Sequence, residues 1–352
     1  MKVAVVGASG YAGAELVEIL TQHNKISDFQ VLVSEGSASS GLLFSDLYPR
    51  MKSVCDKPLQ PFSKNWLDQN LDLDAVFFAT PHEYSQQWAF EFVNAGIKVF
   101  DLSGAFRLSE ASDYPKYYGF EHKHQDLLNA AIYGLAEFNG EAIKSANLVA
   151  VPGCYPTASL LALKPITANN LQQDNGLIVV NGISGVSGAG RKASLATSFN
   201  ELSLKAYNIL QHRHQPEISQ ECGQQVIFNP HIAPYKRGLL STVTLNLKSD
   251  VTAEQVEQAF SDAYSNTPLV RISNDWPKID DVSSTPFANV KWQFDQEKHV
   301  LVASCAIDNL LKGAASQAIQ CFNLTLGLDS HYGLLPNSMS NSMTNSMNKG
   351  DA

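Results

Sequence analysis

Lys2-Val-Ala-Val-Val-Gly-Ala-Ser-Gly-Tyr-Ala-Gly-Ala-Glu-Leu-Val-Glu-Ile-Leu20 is the stretch whose reading decides the fold. Lys2 to Val6 is a short apolar run that predicts a buried strand, three glycines break it, and Ala14 to Leu20 places apolar residues at helical spacing. Strand, glycine turn and helix in that order suit a pyrophosphate, because glycines allow a tight turn and close backbone approach while the helix N-terminus receives negative charge. The spacing is G-x-x-G-x-x-G rather than the commoner G-x-G-x-x-G, so the argument rests on its position directly after a first strand. Gly7, Ser9, Gly10, Tyr11 and Gly13 are the expected cofactor contacts.

Working outward, Phe29–Val33, Asp74–Ala79 and Lys98–Leu102 read as further buried strands, with a helix from Tyr84 to Ala95 that Gly96 stops. This α/β rhythm predicts a parallel sheet covered by helices, a Rossmann-type dinucleotide-binding domain. The second strand runs into Ser34-Glu35-Gly-Ser37-Ala-Ser39-Ser40, where such a fold meets the adenosine ribose. Glu35 suits the free 2′-hydroxyl of NAD, whereas Ser34 and Ser37 suit the 2′-phosphate of NADP; these residues leave both open. After the third of these strands, Arg107 falls on the side where open α/β sheets bind ligands. It has the fork to clamp a phosphate, a solvated surface arginine being the alternative.

At 352 residues the chain is long for one core, which predicts two domains. Hydrophobic residues at 44% and charged residues at 17% describe an ordinary globular protein. A net charge of −9, without a Lys/Arg-dense run, argues against nucleic acid as a partner. Five irregularly spaced cysteines make neither a disulfide framework nor a zinc site, so no metal is expected. No apolar run reaches the length of a membrane span, and the first residues read as a strand rather than a leader. A cytoplasmic enzyme is expected.

The chemistry is expected at Val151-Pro-Gly-Cys-Tyr-Pro-Thr157. Leu148–Val151 predicts a strand, Pro152-Gly153 a turn, and Pro156 the first turn of a helix to Ala168, with Cys154 just ahead of it. The helix dipole there would favour a thiolate, and its free N–H groups could receive an oxyanion. The bland alternative is a buried structural cysteine. A strand, Leu177–Asn181, then enters the loop Gly182 to Lys192, where four glycines, serines and two basic residues, Arg191 and Lys192, could wrap an anion. His212-Arg-His214-Gln-Pro-Glu217 follows. In an extended segment its two imidazoles face one side, and acid–base chemistry suits them better than a metal. Strands at Val226–Pro234, Leu239–Leu247, Ala288–Phe294 and Val300–Ala306, with a helix Ala253–Tyr264, predict a mixed, largely antiparallel sheet. A helix opens near Asn309 and runs to about Leu326; Asn309 itself is read as a cap or as a site residue.

These motifs in this order resemble the N-acetyl-gamma-glutamyl-phosphate reductase family, which shares a superfamily with aspartate-semialdehyde dehydrogenase. The resemblance runs from about residue 2 to 328. It rests on Gly7 to Leu16, Asp101-Leu-Ser-Gly-Ala-Phe-Arg107, Val151 to Thr157, Ser184-Gly-Val-Ser-Gly-Ala-Gly-Arg191, His212 to Glu217 and Asn309-Leu-Leu-Lys-Gly-Ala314. Ala105 stands where many members carry Asp, which leaves Arg107 in place. The resemblance implies NADPH-dependent reduction of an acyl phosphate to an aldehyde through a thioester on Cys154, with His214 as acid–base. It implies Arg107, His212 and Glu217 as substrate-side residues, with Arg191 and Lys192 as further candidates on charge, and Ser187, Gly188 and Asn309 as cofactor contacts. It also implies an NADP-binding domain over 1–151 to which helix 309–328 returns, a catalytic and oligomerisation domain over 152–308, and a homodimer or homotetramer. The alternatives are another acyl-phosphate reductase, such as one acting on aspartyl phosphate, and an NADP-binding sensor without turnover. The tail 335–352 repeats Asn-Ser-Met three times and is expected to be disordered and outside the fold.

Overall fold

Seven short strands, β1 (Lys2–Val6), β2 (Asp28–Ser34), β3 (Gln60–Phe62), β4 (Ala75–Phe78), β5 (Lys98–Asp101), β6 (Ile132–Tyr133) and β7 (Leu148–Ala150), form a parallel sheet in the computed structural model, which describes residues 1–335. Their order is β3-β2-β1-β4-β5-β7-β6. Continuous burial of Val3–Val6 and Ala75–Phe78 is what a sheet covered on both faces requires. The chain leaves β1 toward β2 on one side and meets β4 on the other, which makes the C-terminal end of β1 a topological switch point. The expected glycine turn lies there. Gly7 has φ +90, and a Cβ on it would lie 2.2 Å from the Ala79 carbonyl oxygen; one on Gly13 would lie 2.3 Å from the Gly7 oxygen. Only glycine fits either place.

The helix Ser316–Thr325 completes this first unit. Its Phe322 meets Phe77 and Phe100 edge-on at 5.6 and 5.7 Å between ring centroids, and those two rings stack at 5.1 Å. The helix expected from Asn309 is not continuous. Asp308, rather than Asn309, caps the turn by accepting from Leu310 and Leu311 N–H; a π-helical turn spans Leu311–Ala315, and the α-helix starts at Ser316.

The second sheet contains β8 (Ile178–Gly185), β9 (Lys205–Ala206), β10 (Val226–Ala233), β11 (Leu239–Asn246), β12 (Val270–Ile272), β13 (Ala288–Asp295) and β14 (Val300–Ile307), in the order β12-β13-β14-β11-β8-β10-β9. Four of its pairings are antiparallel and two, β8 with β10 and β12 with β13, are parallel. Strict alternation of buried and half-exposed residues along β11 gives this sheet one covered face. The helix Cys154–Thr167 packs there, pinned by a Ser159–Ser241 hydroxyl contact of 2.9 Å. Ala253–Tyr264 packs beside it, and its Phe260 lies flat on Trp292 at 3.9 Å. Gly182 to Gly185, read from sequence as loop, is the end of β8.

The chain folds as two units: Met1–Ser103, Ala130–Val151 and the described residues from Ala315 form the first, and Gly104–Asn129 with Pro152–Ala314 the second. Cuts near 151 and 308 therefore miss one excursion, since 104–129 clusters with the second unit. Within it, Tyr114 meets Tyr118, Phe120 and His122 in an aromatic knot. Among the described residues no helix is long and apolar enough to cross a membrane. Apart from Leu335, the repeat tail lies outside the described residues.

Candidate active site

Cys154 is the first residue of its helix, two positions earlier than Pro156 suggested, and Gly153 occupies the N-cap. Every residue from Tyr155 to Leu163 is buried, so the helix cannot tilt without breaking core contacts. Tyr155 sets its first turn: its ring meets Phe228 at 5.2 Å, and a Cβ on Gly182 would stand 2.5 Å from it. The thiol does not behave as the helix dipole alone predicts. Burial pushes Cys154 up to about 11, against the Tyr155 N–H and the charges of Arg107 and Arg213, which lower it. At neutral pH the sulfur carries its proton.

An imidazole beside Gly153 stands on the helix His214–Cys222. His214 Nδ1 lies 2.8 Å from Glu217 Oε2, and the other carboxylate oxygen, Oε1, accepts from the Gly153 N–H at 2.9 Å. One buried carboxylate thus ties the histidine to the residue preceding the cysteine. Arg107 Nη1 lies 3.6 Å from the same Oε2. Burial raises the Glu217 carboxyl, but Arg107, His214 and the Gly153 N–H together outweigh it and hold it at about 2. Burial lowers His214 below its ordinary value despite Glu217, so the imidazole is neutral at pH 7 and able to take a proton. Gly153 has to lack a side chain: a Cβ would fall 2.3 Å from His214 Cε1 and 2.9 Å from Arg107 Nη1.

His212 and His214 do come together, at 4.9 Å between ring centroids, yet not along an extended segment, because His214 opens the helix. His212 sits among Tyr155, Tyr207 and Phe228, and burial lowers it to about 2. Among the described residues no group of three or more His, Cys, Asp or Glu could hold a metal ion.

Of the other residues singled out in the sequence, Asn309 is buried and already engaged. Its carbonyl accepts from Gly238 N–H at 2.7 Å and its amide donates to Ser187 Oγ at 3.0 Å, so it ties the end of β8 to the turn before β11. Ser187 is buried, whereas Gly188, Arg191 and Lys192 are exposed. In the first unit Ser34 is exposed at the end of β2, and Ser37 is half-buried, its hydroxyl accepting from Ser39 N–H. Three positions escape a reading of the sequence. Gly153 and Gly313 matter for the side chain they lack; a Cβ on Gly313 would stand 2.7 Å from Cys154 Cβ. Gln220 accepts from the Ser109 N–H and hydroxyl at 2.8 and 2.9 Å and donates to the Arg107 carbonyl, holding the Arg107 backbone against the histidine helix.

Two family models match the chain: the NAD binding domain of semialdehyde dehydrogenase over residues 2–146 and its dimerisation domain over 154–309. The N-acetyl-gamma-glutamyl-phosphate reductase of Pseudoalteromonas atlantica is 48% identical over 336 residues, 95% of this chain and 98% of that protein. The chain belongs to the N-acetyl-gamma-glutamyl-phosphate reductase family. Another member of the reductase family, from Yersinia pestis, is 49% identical over 94% of this chain and 98% of its own length. Among solved structures, aspartate semialdehyde dehydrogenase II of Vibrio cholerae shares the reductase fold with a TM-score of 0.69 at 21% identity, covering 93% of this chain and 98% of that one.

Proposed function

We propose that this protein reduces N-acetyl-gamma-glutamyl phosphate to N-acetylglutamate 5-semialdehyde and phosphate with NADPH, through a thioester on Cys154, as a step of arginine biosynthesis in the cytoplasm. The observation that carries the reading is the tie between Cys154 and His214 through one carboxylate: the Gly153 N–H, next to Cys154, donates to Glu217 Oε1 while Glu217 Oε2 meets His214 Nδ1. His214 takes the thiol proton on Nε2, because Nδ1 faces Glu217. The sulfur then bonds to the acyl carbon and the carbon–oxygen bond to phosphate breaks, with Arg107 supplying positive charge to the pocket around Gly153. Sulfur donates poorly into the carbonyl, so the thioester stays electrophilic. When bound, NADPH supplies the hydride that takes this thioester to the aldehyde level. His214 holds the proton through that reduction and controls its return as the carbon–sulfur bond breaks.

The turn at the end of β1 fits such a cofactor: Gly7 and Gly13 let the chain fold tightly against the Ala79 and Gly7 carbonyls, and the helix Tyr11–Leu20 that follows starts at Gly10 with no side-chain cap, an N-terminus suited to a pyrophosphate. Gly7, Ser9, Gly10, Tyr11 and Gly13 would hold the pyrophosphate, and Ser34 and Ser37 the 2′-phosphate that separates NADP from NAD. The match over 154–309 to a dimerisation domain supports a homodimer or homotetramer. The test is the reverse reaction: phosphate-dependent reduction of NADP⁺ with N-acetylglutamate semialdehyde, with aspartate semialdehyde and NAD⁺ run in parallel. Cys154→Ser is expected to abolish turnover. Equal rates with the two aldehydes overturn the substrate assignment, and equal rates with the two nucleotides overturn the cofactor assignment.

A further inference from the structure

Glu217 fixes Cys154 through its chain neighbour Gly153, yet a second contact reaches the cysteine from far along the sequence. Gly313 lies so near that a Cβ on it would stand 2.7 Å from Cys154 Cβ and 3.1 Å from its Cα. The same Cβ would stand 3.3 Å from the Asp308 carbonyl oxygen, which already accepts from Gly313 N–H at 2.9 Å. That bond spans five residues and leads into the π-helical turn Leu311–Ala315. The turn is held from outside by one side chain. The Asp308 carboxylate is fully buried: Oδ1 accepts from Leu310 and Leu311 N–H, both at 2.9 Å, and Oδ2 accepts from Ser284 N–H at 2.6 Å and from Arg237 Nε. Ser284 makes its bond from the left-handed region, φ +61, which serine seldom adopts. With both oxygens engaged by donors from three segments, the carboxylate cannot turn without leaving one of those donors unpaired.

We propose that Arg237 and Asp308 are a positioning pair for the nucleophile: they fix the turn whose Gly313 backs Cys154, and so set the place of the cysteine side chain. The inference rests on the reductase reading above and adds to that reaction two residues that act through Gly313. Cys154 opens its helix, so no preceding helical turn confines it, and the 308–313 turn supplies a wall that the helix itself lacks. A wall of bare backbone holds its position only if the backbone is fixed, which is what a saturated, buried carboxylate and its arginine provide. A nucleophile displaced by a fraction of an ångström loses rate rather than affinity, because distance and angle of attack matter most in the transition state.

Asp308→Asn keeps the shape but turns an amide NH₂ toward one pair of donors, so the turn loosens. Turnover is expected to fall about 100-fold with KM within about 3-fold of wild type. In the free protein, iodoacetamide should label Cys154 faster by about 5-fold or more at pH 8, while Cys222, a buried cysteine of the same unit, keeps its wild-type rate. That split separates a displaced nucleophile from general loosening; equal acceleration at both cysteines, or none at Cys154, overturns the proposal. Arg237, whose side chain is 15% exposed, carries the same test should Asp308→Asn fail to fold. Arg237→Gln is expected to lose about 30-fold in kcat and Arg237→Lys, which keeps the charge, to stay within about 5-fold of wild type; equal losses overturn the role of the ion pair. Gly313→Ala disturbs the same contact directly, so its loss and that of Arg237→Gln should combine to less than their product. A full product of the two losses shows independent action and overturns the proposal. Wild-type protein inactive on every acyl phosphate would instead sink the reductase reading, and the labelling of Cys154 against Cys222 would still decide the positioning.

Discussion

Cys154 acquires its character from burial and from its neighbours together. Because burial holds the thiol near 11, its thiolate fraction grows with pH across the neutral range instead of saturating. Alkylation of Cys154 by iodoacetamide in the free protein, followed by mass spectrometry of its peptide, should therefore accelerate steadily from pH 6 to 10; a plateau below pH 8 would contradict the burial argument. Glu217 is the complementary case, a buried anion held by Gly153, His214 and Arg107 among others. Glu217→Gln keeps the volume but removes the charge that orients His214. Turnover is expected to fall roughly 10²- to 10⁴-fold, and stability by about 3 kcal/mol as Arg107 loses this carboxylate. Stopped-flow kinetics and denaturant titration measure the two effects. A variant with normal turnover would remove Glu217 from the mechanism.

Among the elements, the helix that begins at Cys154 and the one that begins at His214 meet across Gly153, and that contact has no room to spare. Gly153 has φ −66, so alanine is acceptable to the backbone and only sterics oppose it. Gly153→Ala should displace His214 or Arg107, lowering kcat about 100-fold or more at an overpacking cost of about 1–3 kcal/mol. Gly140→Ala, where the nearest atom to the new methyl is Leu324 Cδ1 at 3.8 Å, should leave kcat unchanged and serves as the control. This contact also marks where the sequence stops being informative. Strands, the glycine turn and the histidine motif were legible because each is a local pattern of 3 to 20 residues with a period or spacing of its own. The need for glycine at 153 was not, because it arises from a ring 61 positions further on. The protonated thiol was hidden for the same reason, since the helix start is local and the burial that outweighs it is not. Asp308 replaces Asn309 as the cap because only the folded chain reveals that Gly238 and Ser187 engage the asparagine.

For the whole molecule, the chain passes between its two units more than once. Fold class was readable throughout, from continuous apolar strands in the first half and alternating ones in the second. The excursion 104–129 was not, as it forms only short helical turns with weak periodicity and is held by side-chain contacts such as Gln220 to Ser109. The last described helix carries a matching prediction. Phe322 is 1% exposed and packs on Phe77 and Phe100, so Phe322→Ala should cost the first unit about 3–5 kcal/mol. Hydrogen exchange of β4 and β5 amides would report it, and unchanged protection there would show that the helix is dispensable.

That same threading has a consequence for synthesis. The first sheet is fully translated by residue 150, yet the helix that covers Phe77 and Phe100 emerges only after 165 further residues. Closing so long a loop comes late, and until then the sheet exposes aromatic surface. Domain-by-domain folding on the ribosome is therefore closed to the first unit; its core is finished only once the helix Ser316–Thr325 has been made, after the whole of the second unit, and the nascent protein must be kept from aggregating in the meantime.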